Sequence, residues 1–274
     1  MTAPGAWSTP EGAASWQASL AQRRQSLAAV TELLFAQVGL GPGMRALEIG
    51  SGTGDLALLA AARVGPAGSV LATDASLPML EVAARLAREA GLSNVSTRDL
   101  RAEDLDLPPR SFDAAISRNC LMFVTDLPRA LGAIRAALRP GARFAASVWG
   151  PLERNVFHGA PIAAVRRRRA IPSPAPEVVQ AFSLSDGDRV VSALRGAGFH
   201  GVELRPVAAP RRFPSFDQAL KTGREFPTFV TLLGLLSEGE RERAWDEIAR
   251  EWSPFATPNG IELPGEQLVV SGQA

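Results

Sequence analysis

Residues 47–55, LEIGSGTGD, constrain this chain more than any other stretch. Leu47 and Ile49 flank a carboxylate, Glu48, and glycines follow at Gly50, Gly52 and Gly54. The apolar run before them, 44–49, reads as a buried strand, and residues 56–63 read as a helix. A strand that breaks into a glycine turn and re-enters as a helix lets a ligand reach bare backbone, because no Cβ stands in the way. The helix presents its unpaired N–H groups at the same place.

The same alternation continues along the chain. Apolar runs at 69–74, 94–98, 111–117 and 142–150 read as strands. Helical patterns at 77–90 and 127–138 separate them, with Gly/Pro breakers at their ends. Strands alternating with helices at this spacing predict a doubly wound, mostly parallel, seven-stranded Rossmann-like sheet, with helices on both faces. Before it, residues 1–14 are rich in Pro, Gly, Ala and Ser and read as loosely docked. Trp16, Leu20, Leu27, Val30, Leu33 and Leu34 then mark one helix over 14–38. After Gly150 the alternation breaks twice. Residues 151–182 carry five prolines and the arginine run 166–169. Residues 208–258 are mostly helical and rich in aromatics. Between them lie a helix over 184–196, with Ser185 as its cap, and a sixth strand at 202–207. The last strand is 267–272. We therefore expect a single domain over 1–274. Its parts are an N-terminal segment and cap helix (1–43), a cofactor-binding core (44–150), a first lid insertion (151–182), more core (183–207), a second lid (208–262) and a last strand (263–272). Insertions of that size are seldom idle, and the carboxyl edge of such a sheet is where ligands bind.

Composition excludes several classes. A net charge of +1 creates no global field to recruit nucleic acid or a membrane surface. No apolar run approaches a membrane span, and the N-terminus lacks a signal-peptide pattern. Cys120 is the single cysteine, consistent with a reducing compartment, and the default location is cytoplasmic. Tyrosine is absent, so no tyrosine mechanism is available. Two distant histidines and one cysteine make no metal-ligand set. The run 166–169 reads as a solvated helix face, since nucleic-acid binding asks for clustered basicity with interleaved aromatics.

Two ligand classes compete for the glycine turn. The dinucleotide fingerprint G-x-G-x-x-G needs a glycine at position 55, where this chain has Asp55. A pyrophosphate would also be repelled by Glu48 and Asp55, whereas a ligand carrying an ammonium and a sulfonium would not. LEIGSGTGD, the acid-ended strand VLATD, the strand SFDAAIS and the segment LRPGARFAASVW together resemble the class I S-adenosylmethionine-dependent methyltransferases. More narrowly, they are similar to the ubiquinone/menaquinone-biosynthesis-type branch that acts on small molecules. The likeness covers 40–150 well, and 183–207 and 262–272 loosely.

That resemblance implies S-adenosylmethionine as cofactor and methyl transfer to a small, apolar or aromatic metabolite such as a quinone or natural product. It implies that Gly50, Ser51, Gly52 and Gly54 lie along the methionine moiety, with Glu48 holding its ammonium. Asp74 would take both ribose hydroxyls, with Ala75 beside it, and Met79 would pack on the adenine. The family's Asp-Ala-Glu after the third strand is here Arg101-Ala102-Glu103. Arg101 cannot accept the adenine amino group, which leaves Glu103 and the N–H of Ala102 for that end. Ser117 and Arg118 would form the floor beneath the sulfonium. His158 is the candidate base for a protonated acceptor. Trp16, Asn119, Trp149, Phe157, Phe226 and Phe229 are candidate substrate contacts. The alternatives are a non-catalytic S-adenosylmethionine-binding relative, kept open by Arg101, and an NAD(P)-dependent oxidoreductase. The oligomeric state is left open.

Overall fold

In the computed structural model, which describes residues 8–171 and 177–274, the glycine turn lies at the carboxyl end of the central strand. That strand, β1 (Arg45–Ile49), pairs in parallel with β2 (Ser69–Asp74) on one side and β4 (Phe112–Arg118) on the other. Strands β3 (Val95–Asp99), β5 (Leu138–Trp149), β6 (His200–Ala208) and β10 (Glu266–Gln273) complete a seven-stranded sheet of order β3-β2-β1-β4-β5-β10-β6. Only β10 runs against its neighbours. The chain has the doubly wound α/β fold that its alternation predicts.

Both faces are covered, which is why the inner strands are almost continuously apolar. On one face Ala46, Ala72, Ile116 and Ala145 pack under α3 (Ala28–Val38) and α4 (Asp55–Val64). On the other, Leu47, Ile49, Ala115 and Phe144 pack under α6 (Leu127–Ala137) and α9 (Gly187–Gly196). Helix α5 (Leu77–Glu89) follows β2, begun by Ser76, whose hydroxyl accepts from Met79 N–H, and by Pro78 in its first turn.

Four local expectations change. The single helix over 14–38 is three: α1 (Pro10–Ala18), α2 (Leu20–Ser26) and α3. The Ser19 hydroxyl donates to the Trp16 carbonyl at 3.0 Å and the Arg23 guanidinium donates to the same oxygen. Side chains thus take an acceptor that the helix ladder would use, and the helix breaks there. Residues 10–14, expected to be loose, belong to α1, whose cap Thr9 accepts from Gly12 N–H. Helix α9 is capped by Asp186, which accepts from Asp188 N–H, rather than by Ser185. The second insertion holds a small sheet as well as helices: β7 (Arg211–Phe213), β9 (Gly260–Leu263) and β8 (Ala256–Thr257). β7 pairs with β9 across 48 or more residues of sequence and β8 is two residues long, so no local alternation betrays them. The expectations for 1–7 and for the prolines within 172–176 lie outside the described residues.

The two insertions share one core. Phe157 and Ile162 of α7 (Val156–Arg166) pack with Phe229 of α11 (Pro227–Leu233), Trp252 of α12 (Glu238–Trp252), Phe213 and Leu263. The remaining helices there are α8 (Glu177–Gln180) and α10 (Phe216–Glu225). The Trp252 indole N–H donates to the Val156 carbonyl, so its burial leaves no donor unpaired. Arg167 and Arg168 of the basic run pair with Glu247, and Arg167 also with Glu251. Asn155 ties this outer subdomain to the sheet: its amide donates to the carbonyls of Gly150 and Pro151 and its oxygen accepts from Glu266 N–H. No helix among the described residues is long and apolar enough to cross a membrane.

Candidate active site

All three glycines of the turn have positive φ: 70° at Gly50, 52° at Gly52 and 82° at Gly54. The turn is therefore closed to side chains by backbone conformation as well as by space. A Cβ on Gly50 would stand 2.3 Å from Cys120 Sγ, and one on Gly54 would stand 2.7 Å from Ala83 Cβ. Gly52 lies under the Trp16 indole, whose Nε1 is 3.4 Å from where a Cβ would be. The break after α1 thus sets Trp16 across the turn. The Arg23 guanidinium stacks on that indole at 4.1 Å.

Asp74, at the end of β2, braces the turn. One carboxylate oxygen accepts from Gly52 N–H at 2.8 Å and the other from Ser76 N–H at 2.9 Å. Burial nonetheless raises its pKa above the usual carboxylate value, with the N–H donors opposing. Ala75 is exposed beside it, and Met79 is buried in α5.

Glu48 is 1% exposed, and burial pushes its pKa up to about 8, against the pull of nearby Arg118. Asp55 is the opposite case. Burial would raise its pKa, but Arg118 and Arg24, both ion-paired to it, hold it below the usual value. Arg118 also donates to Thr31 Oγ1 at 2.7 Å, so its guanidinium is committed to the α3–α4 face. Ser117 is fully buried and donates to the Ile49 carbonyl, locking β4 to β1 just below the turn. Glu103 accepts from the N–H and hydroxyl of Thr125. Burial would raise its pKa, but these two bonds and Arg101 keep it low. Ala102 is buried and Arg101 exposed.

Several buried polar atoms around the turn have no partner: Glu48 Oε2, Ser51 Oγ, Thr53 Oγ1, Asn119 Oδ1 and Arg23 Nη2. Asn119 follows β4 with φ +58°, the left-handed conformation that asparagine tolerates better than most residues. Buried groups of this kind are seldom left unsatisfied, and water or a ligand completes them. Arg23 was missed in the sequence, where it is one of two adjacent arginines on a helix; only the helix break brings it to the turn.

Farther along the carboxyl edge, His158 of α7 packs tilted against Trp149 at 4.7 Å between ring centroids, with Phe157, Phe182, Phe226 and Phe229 around it. Burial lowers its pKa well below the usual imidazole value, and Arg211 adds to this. The imidazole is neutral at physiological pH. Phe229 and Phe157 belong mainly to the outer core, while Trp149 and Phe226 are only half-buried. An open groove of about 550 Å³ along α7, lined by Leu152, Ala163 and Phe255, contains none of these residues.

Comparison with known proteins bears on the same segment. A family model described as "Methyltransferase domain" matches residues 46–141, from β1 to the start of β5. These residues resemble a methyltransferase domain. The chain is 39% identical over 110 residues to the demethylmenaquinone methyltransferase of Symbiobacterium thermophilum, covering 40% of this chain and 44% of that protein. It is 31% identical over 177 residues to the nocamycin O-methyltransferase of Saccharothrix syringae, covering 61% and 62%. The chain thus spans less than two thirds of the length of either relative. Among solved structures, the YcgJ protein of Bacillus subtilis shares the fold, with a TM-score of 0.55, 22% identity and coverage of 91% and 98%.

The methyltransferase cofactor, S-adenosylmethionine, fits the residues present. Glu48 Oε2 and Asn119 Oδ1 have no partner, and an ammonium can complete both once Glu48 gives up its proton. The charge argument against a dinucleotide is weaker than the sequence suggests, because Asp55 is neutralised by two arginines and Glu48 is uncharged at neutral pH. Asn119 Oδ1, which can only accept, argues for the ammonium instead. Among the described residues no group of three His, Cys, Asp or Glu could hold a metal ion.

A pH dependence follows from Glu48. Its folded pKa exceeds the unfolded value, so the native state binds the extra proton and stability falls as pH climbs from about 4.5 to about 8. Asp74 acts in the same direction. The melting temperature of the ligand-free protein is expected to drop over that range, and Glu48→Gln to flatten the drop. An unchanged profile in the variant would remove Glu48 as its source.

Proposed function

We propose that the chain transfers a methyl group from S-adenosylmethionine to a small, apolar or aromatic acceptor. The observation that carries this reading is the set of unpaired oxygens at the glycine turn, Glu48 Oε2 and Asn119 Oδ1, beside the unpaired Arg23 Nη2. Bound there, the cofactor supplies a methyl group on a sulfonium, which passes to the acceptor by in-line displacement and leaves a neutral thioether. The protein's part is to hold, align and exclude water. Glu48 and Asn119 hold the ammonium. Arg23 takes the carboxylate. Asp74, its oxygens already aligned by Gly52 and Ser76, takes the ribose hydroxyls. Met79, Ala102 and Glu103 line the adenine end. Trp16 covers the turn against water.

The outer subdomain supplies the acceptor pocket, closing over Trp149 with His158 and Phe226, and its insertions serve as the lids expected from the sequence. His158 serves as a neutral hydrogen-bonding group there rather than as the final holder of a proton, since burial and Arg211 both oppose its charged form. The pairing of Arg167 and Arg168 with Glu247 leaves that run to structure, which supports a small-molecule acceptor over nucleic acid. Burial pushes the Cys120 thiol up to about 12, so it is inert, in keeping with a cytoplasmic setting.

Calorimetry tests the reading. S-adenosylhomocysteine is expected to bind, and NADH not to. NADH binding with no response to S-adenosylhomocysteine would favour the oxidoreductase. Because Glu48 is protonated at pH 7 in the free protein, its ammonium contact should drive off up to about one proton per ligand. Repeating the titration in buffers of different ionisation enthalpy reads that proton directly, and Glu48→Gln should abolish its release.

A further inference from the structure

Arg211 opens β7 and sits between the two halves of the candidate site. Its guanidinium lies 4.4 Å over the Phe157 ring and 5.4 Å over Phe226. Its charge is felt by His158 in the aromatic pocket and by Arg23 beside Trp16. Among the described residues no carboxylate pairs with it, and its side chain makes no hydrogen bond to the protein. The residue is half-buried, and partial loss of water pulls its pKa down to about 10 with no acidic neighbour to offset it.

Two other buried charges here are answered by partners. Arg118 has Asp55 and Thr31, and Asp55 has two arginines. A cation desolvated without a counter-ion is costly, and two aromatic faces return only part of that cost. Stacking on ring faces leaves the edge of the guanidinium, with its planar fork of donors, open to a ligand. The surroundings add to the bias. Arg23, whose charge Arg211 meets, is itself a cation beside Arg24, Arg118 and Asp55.

We propose that Arg211 is the anion-recognition residue of the acceptor pocket, so that the acceptor is an aromatic or enolic acid whose oxygen anion pairs with the guanidinium while its ring lies among Trp149, Phe226 and His158. The inference rests on the methyl-transfer reading and narrows it to an acidic class of acceptor. Such an acceptor arrives already ionised, which removes the need for a strong base at His158.

The test uses the full chain saturated with S-adenosylhomocysteine and two probes of equal shape, 2-naphthoate and 2-naphthamide, titrated by calorimetry. The wild type is expected to bind the carboxylate at least about tenfold more tightly than the amide. Rising salt should narrow the gap. Arg211→Gln should erase the preference while leaving S-adenosylhomocysteine affinity unchanged, and Arg211→Lys should keep part of it. Equal affinity of the wild type for both probes, including no measurable binding of either, overturns the proposal. So does a preference that survives in Arg211→Gln, or a variant that loses S-adenosylhomocysteine affinity instead, which would assign Arg211 to the cofactor. The wild-type comparison stands even if the variant does not fold. A wild type that fails to bind S-adenosylhomocysteine counts against the methyl-transfer reading itself, which is a separate result.

Discussion

Asp74→Ala should weaken S-adenosylhomocysteine binding on the order of a hundredfold, close to 3 kcal/mol, the scale of two lost charge-assisted hydrogen bonds. Two effects combine. The carboxylate that would meet the ribose is removed, and Gly52 N–H and Ser76 N–H lose the acceptor that fixes the turn. Asp74→Asn separates them, because its single oxygen can still brace Gly52 but cannot pair with both hydroxyls. The asparagine variant is expected to keep most of the thermal stability and to lose most of the affinity. Calorimetry of both variants, with melting temperatures alongside, gives the answer. Wild-type affinity in Asp74→Ala would mean that Asp74 serves the turn and not the ribose.

Gly50→Ala is expected to cost stability as well as binding. A left-handed φ of 70° costs a non-glycine residue roughly 1–2 kcal/mol. The new methyl would also meet Cys120 at 2.3 Å from sulfur and 2.4 Å from its Cβ, and such overpacking typically costs about 1–3 kcal/mol. A fall in melting temperature of roughly 10 °C is the expected scale for a chain of this size. Replacing Cys120 by alanine would not relieve it, since Cβ itself is in contact. Cys120→Gly in the same chain should recover the steric share and leave the share due to φ. If Gly50→Ala melts like the wild type, the tight closure of turn on β4 described here is wrong.

The sheet was legible because its signal is local and repeated: short apolar runs, each followed by helical spacing, ended by glycine and proline. The turn was legible for the same reason, with its three glycines, Glu48 and Asp74 all within 27 residues. What could not be read depends on contacts distant in sequence. Ser19 looks like any helix residue until its hydroxyl takes the Trp16 carbonyl, and the break that follows brings Arg23 to the turn. Arg118 sits where the family resemblance puts a floor residue, yet its guanidinium reaches Asp55, 63 positions away. Arg211 lies in a three-residue strand whose partner begins 49 residues later, and no spacing rule marks a cation by the anion it lacks. Charge by sequence position also misled: Glu48 and Asp55 carry the same formal charge, while burial and the arginines drive their ionisation in opposite directions.

The chain passes between sheet and outer subdomain four times, and three of those crossings are stitched together. Asn155 fastens the outgoing segment at Gly150 and Pro151 to the returning one at Glu266, and Ala209 N–H donates to the Gly265 carbonyl at 2.7 Å. The pocket for the acceptor therefore hangs from the donor-binding sheet by a narrow neck, with a hydrophobic core of its own. Selection could replace one pocket with another by exchanging what lies beyond Asn155, Ala209 and Gly265, without disturbing a residue of the glycine turn. A chimera cut at those three points and at the return between Phe182 and Leu184 is the natural unit for moving this protein's choice of acceptor onto a different scaffold.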